Sequence, residues 1–160
     1  MTTQRIRGVA LVVANLKGEI LILQEYETKP YFGKYRGMFS IPMETAKPNE
    51  SDQSAVSRLI EEELPGFDLK PYIKNIIQSH AGVYQIVPCV WANLYSIMTA
   101  NNYVSDFSNA RDKEVGNHQW ICPKNALSLW LRQGAWEMID DFMNNKKGVF
   151  CKHCRTPEKK

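Results

Sequence analysis

Three consecutive glutamates, Glu61, Glu62 and Glu63, lie at the end of a predicted helix and are the residues best suited to chemistry. The helix dipole disfavours negative charge at a C-terminus, and the three carboxylates repel one another. A divalent cation would offset both effects, because magnesium and manganese prefer hard oxygen ligands. The alternative is a solvated acidic face on which Arg58 and Glu62 form an i,i+4 pair. The charge pattern alone favours this solvated face.

The residues around the glutamates extend the pattern. Residues 39–66 resemble the Nudix box, which is written Gly-x5-Glu-x7-Arg-Glu-U-x-Glu-Glu-x-Gly-U with U aliphatic. The likeness to the Nudix hydrolase family covers about residues 6–145. The resemblance implies a divalent-metal-dependent hydrolase of a nucleoside diphosphate linked to another moiety, that is, a pyrophosphohydrolase. The positions that match the box, with their spacing intact, are Glu50, Arg58, Ile60, Glu62 and Glu63.

Several residues depart from the box. Leu59 replaces the glutamate after the arginine, Met43 and Glu44 replace the paired glycines, and Pro65 replaces the last glycine. Helical positions 59, 62 and 63 share one face, so the family places three carboxylates there and this chain places two. A glutamate at position 59 is therefore expected to tighten magnesium binding. Glu61 points about 100° away from Glu62 and is a poor substitute. Whether Glu44 replaces the missing carboxylate stays open.

The resemblance implies roles for the residues of the box. Glu62 and Glu63 would be ligands of Mg²⁺ or Mn²⁺, together with the backbone carbonyl of Met43. Metal ions can bridge phosphate oxygens and activate water. Glu50 would hold the loop together through Arg58 rather than contact the metal.

A further glutamate lies outside the box. Glu114 precedes Trp120 by six residues, where some small Nudix hydrolases carry a metal ligand or general base. Glu114, or Glu63 in its place, would orient or deprotonate the attacking water, so these two are the candidate catalytic residues. The alternative interpretation of Glu114 is an ordinary loop carboxylate.

The loop before the box supplies candidate substrate contacts. Lys34 and Arg36 are placed to meet phosphates, and Tyr31 and Phe32 are of the type that stacks on a nucleotide base. The alternatives are plain surface charge and packing of the loop onto the sheet.

The retained glutamates favour a hydrolase. The departures from the box favour a catalytically inactive, nucleotide-binding sensor or regulator.

The 160-residue chain suits one domain with a tail, predicted as residues 1–145 and 146–160. The tail holds six basic side chains against one acidic one, so the rest of the chain is slightly acidic although the whole carries +3. Nucleic-acid binding, if any, is therefore expected only through the tail. Cys151 and Cys154 form a Cys-x-x-Cys there, which is half of a zinc site at most. The composition, and the lack of an apolar run of about 20 residues, predict a cytoplasmic protein. Monomer and homodimer both stay open as its oligomeric state.

The hydrophobic pattern predicts an α+β fold, a Nudix-like mixed β-sheet packed between helices in an α/β/α sandwich. Ser51 is the predicted N-cap of the helix that carries the glutamates, and Pro65-Gly66 ends it. The predicted strands are 6–14, 19–24, 39–42, 69–79, 83–98 and 119–122. The predicted helices are 51–64, 124–132 and 135–145.

Overall fold

The computed structural model describes residues 5–100 and 114–145. The tail and its two cysteines lie outside the described residues, as does most of the polar loop that follows residue 98. The strands are β1 (Ile6–Asn15), β2 (Ile20–Glu25), β3 (Phe39–Ser40), β4 (Met43–Thr45), β5 (Gly82–Val87), β6 (Val90–Thr99) and β7 (Val115–Ile121). The α-helices are α1 (Asp52–Glu63), α2 (Ile73–Gln78), α3 (Pro123–Ala126) and α4 (Ala135–Asn145).

The seven strands form one mixed sheet. Its main order is β3-β2-β1-β6-β5, while β4 pairs with β1 and β7 pairs with β2. Among the described pairs, β1 and β6 run parallel, from Ile6 opposite Val90 to Asn15 opposite Thr99. The remaining pairs are antiparallel.

Strand β1 is buried on both faces because helices cover both sides of the sheet. Successive side chains of a strand point to opposite faces. Val9, Leu11 and Val13 pack with the buried side of α1 and α2. Their neighbours Ala10 and Val12 pack with α4 on the other face. The α+β class and the layered arrangement predicted from the sequence are therefore confirmed.

Helix α1 forms where the sequence predicts it. Ser51 is its N-cap, with the Ser51 side chain accepting a hydrogen bond from the backbone N–H of Ser54. Leu64 is the C-cap residue. Ala55, Val56, Ile60 and Leu64 recur at helical spacing and are buried, so they form the core-facing stripe of this helix.

The segment 69–79 is wrong as a strand. It forms a 3₁₀ turn at Lys70–Tyr72 followed by α2. Leu69, Ile73 and Ile76 recur at helical spacing and pack against the α1 side of the sheet, so one buried stripe suits a helix better.

Other boundaries also differ from the sequence-based expectations. The predicted strand 83–98 is divided by a turn at residues 88–89, where Cys89 has a φ of 72°. Residues 43–50 lie outside the predicted strands and helices, yet Met43–Thr45 pairs with β1 as β4. The predicted helix 124–132 ends at Ala126. Beyond it, Leu131 forms a β-bridge with Phe39 and so extends the sheet instead.

The described helices are short or polar on one side. None of the helices within residues 5–100 and 114–145 is both long and apolar enough to cross a bilayer.

Candidate functional site

Strand β4 and the last turn of α1 place the acidic residues beside each other. Met43 pairs with Ala10 and Glu44 with Val9 of β1, which fixes β4 on the sheet. The backbone N–H of Met43 donates a hydrogen bond to Oε1 of Glu63 at 3.3 Å. The Glu63 residue is 6% exposed, although it is ionisable and ends a helix. The chain therefore holds a carboxylate in a buried position directly against the β4 backbone.

Arg58 connects the acidic residues of β4, α1 and the loop between them. Its Nη2 atom lies 2.8 Å from Glu50 Oε1, and its Nη1 atom lies 3.1 Å from Glu44 Oε1. Nη1 is also 3.9 Å from Glu62 Oε2. Nη2 donates a second hydrogen bond to the backbone carbonyl of Thr45 at 2.8 Å. The ion pair between Arg58 and Glu50 joins α1 to the loop before it, which is the arrangement expected from the box.

The ion pair with Arg58 changes the acidity of Glu50. The hydrogen bond from Arg58 and the backbone N–H of Lys47 lower the pKa of Glu50 to about 2. Glu50 stays ionised at neutral pH and restrains the loop that leads into α1.

Glu44 and Glu62 face each other across the gap between β4 and α1. Burial raises the pKa of Glu44 to about 7, and a hydrogen bond with Glu62 adds to the effect. Burial also raises the pKa of Glu63 well above its usual value, with the negative charges of Glu44 and Glu25 acting in the same direction. The raised pKa values mean that Arg58 and Arg132 do not fully offset the cost of ionising Glu44 and Glu63, so a further positive charge would be accommodated here.

Leu59 lies in the hydrophobic core, one helical turn before the buried Glu63. The residue is fully buried and packs in the cluster that contains Val9 and Leu11 of β1. The position that carries a carboxylate in the family box is therefore part of the hydrophobic interior in this chain. A glutamate at position 59 would have to place its carboxylate in this buried position, a cost that the spacing of the box does not reveal.

A cavity of about 280 Å³ opens beside β4. Glu44, Glu63 and Glu114 contribute carboxylates to its lining. The cations that line it are Lys29, Lys34 and Arg132. Apolar side chains, including Phe32, Ile86 and Trp91, complete the lining. A cavity with carboxylates and cations in one lining can bind a polyanion and a metal cation together.

Glu114 is held by two lysines in this cavity. Its Oε1 atom lies 2.9 Å from Lys29 Nζ, and its Oε2 atom lies 3.5 Å from Lys34 Nζ. The hydrogen bond from Lys29 lowers the pKa of Glu114. Lys34 is also 3.5 Å from Glu25, whose pKa is raised by burial.

The structure brings most, but not all, of the sequence-based candidates together. Met43, Glu63, Glu114, Lys34 and Phe32 line the cavity, and Glu62 adjoins it through Glu44. Tyr31 and Arg36 are exposed and do not line it. Tyr31 instead contacts Phe32 edge-on, with ring centroids 5.3 Å apart. The stacking and phosphate roles expected for Tyr31 and Arg36 gain no support from this placement.

Sequence reasoning missed two cations of the cavity, Lys29 and Arg132. The Arg132 guanidinium donates to the carbonyl of Phe32 at 3.0 and 3.3 Å, across 100 residues of sequence. Burial lowers the pKa of Arg132, while the negative charges of Glu25, Glu63, Glu44 and Glu114 act to raise it. No local motif marks either residue. The pairing of Leu131 with Phe39 is what carries Arg132 to the site.

The donor set allows a divalent cation, with part of its coordination left to other ligands. Within residues 5–100 and 114–145, no three acidic, histidine or cysteine side chains are grouped as a ready metal site. Magnesium, however, usually keeps several waters and binds one or two carboxylates plus the phosphates of a substrate. The opposed carboxylates of Glu44 and Glu62, with buried Glu63 beside them, provide that smaller set.

No family model matches the sequence, and no curated protein matches it. Solved structures do match the fold. A MutT protein from Methanosarcina mazei Go1 has a TM-score of 0.62 at 19% identity, with 89% of this chain and 95% of that chain covered. The NUDIX domain of Shewanella oneidensis NrtR, complexed with ADP ribose, has a TM-score of 0.58 at 12% identity, with 88% and 86% covered.

A larger protein also contains this fold. A bifunctional NMN adenylyltransferase/ADP ribose pyrophosphatase from Francisella tularensis, complexed with AMP and a manganese ion, has a TM-score of 0.64 at 13% identity. The match covers 96% of this chain and 43% of that one. These similarities establish that the chain has the Nudix fold, as the box resemblance predicted.

Proposed function

We propose that this protein hydrolyses the diphosphate linkage of a nucleoside diphosphate joined to another moiety, with Mg²⁺ or Mn²⁺. The single observation that carries the proposal is the cavity, where three carboxylates and three cations line one space of about 280 Å³. A diphosphate needs cationic partners for its oxygens, and a divalent ion needs carboxylates. The Nudix fold and the ADP ribose and AMP complexes of similar structures are consistent with such a ligand.

The proposed roles follow from the positions of the side chains. Glu62 and Glu63 would hold the cation, with the Met43 carbonyl of β4 as a backbone ligand and Glu44 beside them. When bound, the cation would polarise the phosphoryl oxygens and activate water. Arg58 fixes the acidic residues relative to β4 through its contacts with Glu44 and Thr45.

The cavity carboxylates Glu63 and Glu114 are the candidates to orient water and accept its proton. Glu114 is proposed as a metal ligand as well, although its contacts in the structure are with lysines. Lys29, Lys34 and Arg132 would bind the phosphate oxygens, and Phe32 and Trp91 would contact the apolar part of the ligand.

A second candidate function is nucleotide binding without turnover. Two observations favour it: Leu59 is buried where the family carries a carboxylate, and Glu114 is bonded to lysines. Such a sensor would keep the cavity and its cations. A ligand that binds the folded state raises thermal stability whether or not it is consumed.

The experiment is a turnover screen of the full-length protein with a panel of nucleotides. The panel holds nucleoside triphosphates, ADP-ribose, NAD, dinucleoside polyphosphates and nucleotide sugars, each with Mg²⁺, with Mn²⁺ and with EDTA. Cleavage at the diphosphate that stops in EDTA is the expected result. Thermal stabilisation by a nucleotide that is recovered intact with either metal would instead establish the binding function.

A further inference from the structure

Residues 29–34 form a tight hairpin, named here the lysine hairpin, that presents two cations side by side. Lys29 and Lys34 form an antiparallel bridge. The Lys29 N–H donates to the Lys34 carbonyl at 2.9 Å, and the Lys34 N–H donates to the Lys29 carbonyl at 3.3 Å. A 3₁₀ turn at Pro30–Phe32 closes the hairpin, followed by Gly33 with a φ of 70°. The backbone therefore fixes the spacing of the two lysines.

The lysine hairpin is packed firmly against the rest of the fold. A Cβ atom on Gly33 would come within 2.9 Å of Cγ1 of Val87, so the hairpin lies directly on β5. Arg132 also donates two hydrogen bonds to the Phe32 carbonyl. The lysine positions are thus set by packing and backbone contacts, independently of their charged partners.

Like charges directly opposite each other in an antiparallel pair are destabilising. The cost is greater for Lys34, whose side chain is only 8% exposed. Glu114 offsets this cost by bridging the two ammonium groups, one carboxylate oxygen to each, at 2.9 and 3.5 Å. A bridging anion between two fixed cations has the charge and the oxygen spacing of a bound phosphoryl group.

We propose that the lysine hairpin is a phosphoryl-binding site that the Glu114 carboxylate occupies until ligand enters. The inference rests on the proposed function only in taking a phosphate derivative as the ligand. A diphosphate carries more negative charge and more oxygens than a carboxylate, and lysine binds phosphate as a point charge, so the ligand displaces Glu114. Glu114 is then released within the same cavity at the moment a diphosphate arrives. The lysines thereby couple ligand binding to the position of a proposed catalytic carboxylate.

Competition for the lysines is tested with inorganic pyrophosphate in EDTA, by calorimetry on the full-length protein. Glu114→Gln removes the internal anion and is expected to tighten pyrophosphate binding about three- to fivefold, the range of a partly exposed ion pair. Lys29→Gln is expected to weaken binding. In the double variant, the gain from Glu114→Gln is expected to be smaller, because in the Lys29→Gln background the carboxylate competes only for Lys34.

Glu27→Gln is the matched control, since Glu27 is a second carboxylate partner of Lys29 at 3.2 Å but does not line the cavity. It is expected to change binding by less than about twofold. Unchanged or weaker binding in Glu114→Gln, or a gain of undiminished size in the Lys29→Gln background, would overturn the proposal. Glu114→Ala is the second variant, which removes the carboxylate without introducing an amide. It is also expected to tighten pyrophosphate binding, and it replaces Glu114→Gln if the amide perturbs the fold. The assay involves no metal and no turnover, so it can succeed even if the hydrolase proposal fails.

Discussion

The guanidinium of Arg58 on α1 lies 3.1 Å from the carboxyl group of Glu44 on β4 and 3.9 Å from that of Glu62. Burial of Glu44 and the neighbouring charge of Glu62 disfavour ionisation of Glu44, a cost that a bound proton or a further cation would relieve. Glu44 stands where the family box has a glycine, so the contact is a property of this chain. We expect it to make the acidic site sensitive to pH and, if the proposed metal binds, to divalent cations.

Glu44→Gln is expected to change how stability depends on pH. The pKa of Glu44 rises from 4.5 to about 7 on folding, so the folded state binds the proton more tightly. Its contribution to stability is therefore fully present below about pH 4.5 and is lost as the pH rises through about 7. At pH 8 in EDTA, the variant should be more stable than the wild type by about 1–3 kcal/mol, a difference that shrinks at pH 5.

Urea denaturation at the two pH values measures this difference. Glu137→Gln on α4 is the control, because Glu137 is exposed and does not line the cavity, and it should leave the pH dependence unchanged. Parallel pH profiles for Glu44→Gln and the wild type would contradict the assignment.

Leu59 is expected to behave as a core residue. Leu59→Ala should lower the free energy of unfolding by about 2–5 kcal/mol, because the side chain is fully buried. Leu59→Glu should cost at least as much, since it buries a carboxylate in an apolar cluster. Thermal and urea denaturation measure both. A stable Leu59→Glu variant with tighter magnesium binding would contradict this and would support a metal-ligand role for a glutamate at position 59.

Glu50→Gln is expected to loosen the loop before α1 while sparing the chemistry. The variant removes the 2.8 Å ion pair with Arg58 and should cost about 1–2 kcal/mol at neutral pH, as for a hydrogen bond to a charged group. Because the pKa of Glu50 falls to about 2, its contribution is present above about pH 4.5 and is lost as the pH falls towards 2.

Denaturation from pH 7 down to pH 2 checks the trend for Glu50→Gln against the wild type. The turnover rate should stay within a few-fold. A rate loss as deep as that of a metal-ligand variant, without a loss of stability, would mean that Glu50 contacts the metal or substrate.

The sequence predicts the parts of the site that depend on local spacing. Helix α1, its cap at Ser51 and the contact between Glu50 and Arg58 all lie within one short segment with a strong motif. The six-residue helix α2 was predicted as a strand because a short apolar run fits either period. Strand β4 has only three residues, too few for an alternating pattern.

The cationic side of the cavity could not be predicted in the same way. Lys29 and Glu114 are 85 residues apart, and Arg132 meets Phe32 across 100 residues. These contacts depend on the pairing of β2 with β7 and of Leu131 with Phe39, which no local pattern specifies. The burial of Leu59 likewise follows from how α1 packs on β1, which the box alone does not specify.

The most direct test of the central claim compares Glu63→Gln with Glu61→Gln. Both change one carboxylate to an amide on α1, but Glu63 is buried in the cavity lining, while Glu61 is exposed and paired with Lys70. Turnover of the preferred nucleotide with Mg²⁺ or Mn²⁺ should fall at least a hundredfold in Glu63→Gln and stay near the wild-type rate in Glu61→Gln, as expected for a group that acts in proton transfer. Equal rates in the two variants, both with wild-type melting temperatures, would contradict the assignment of the active site.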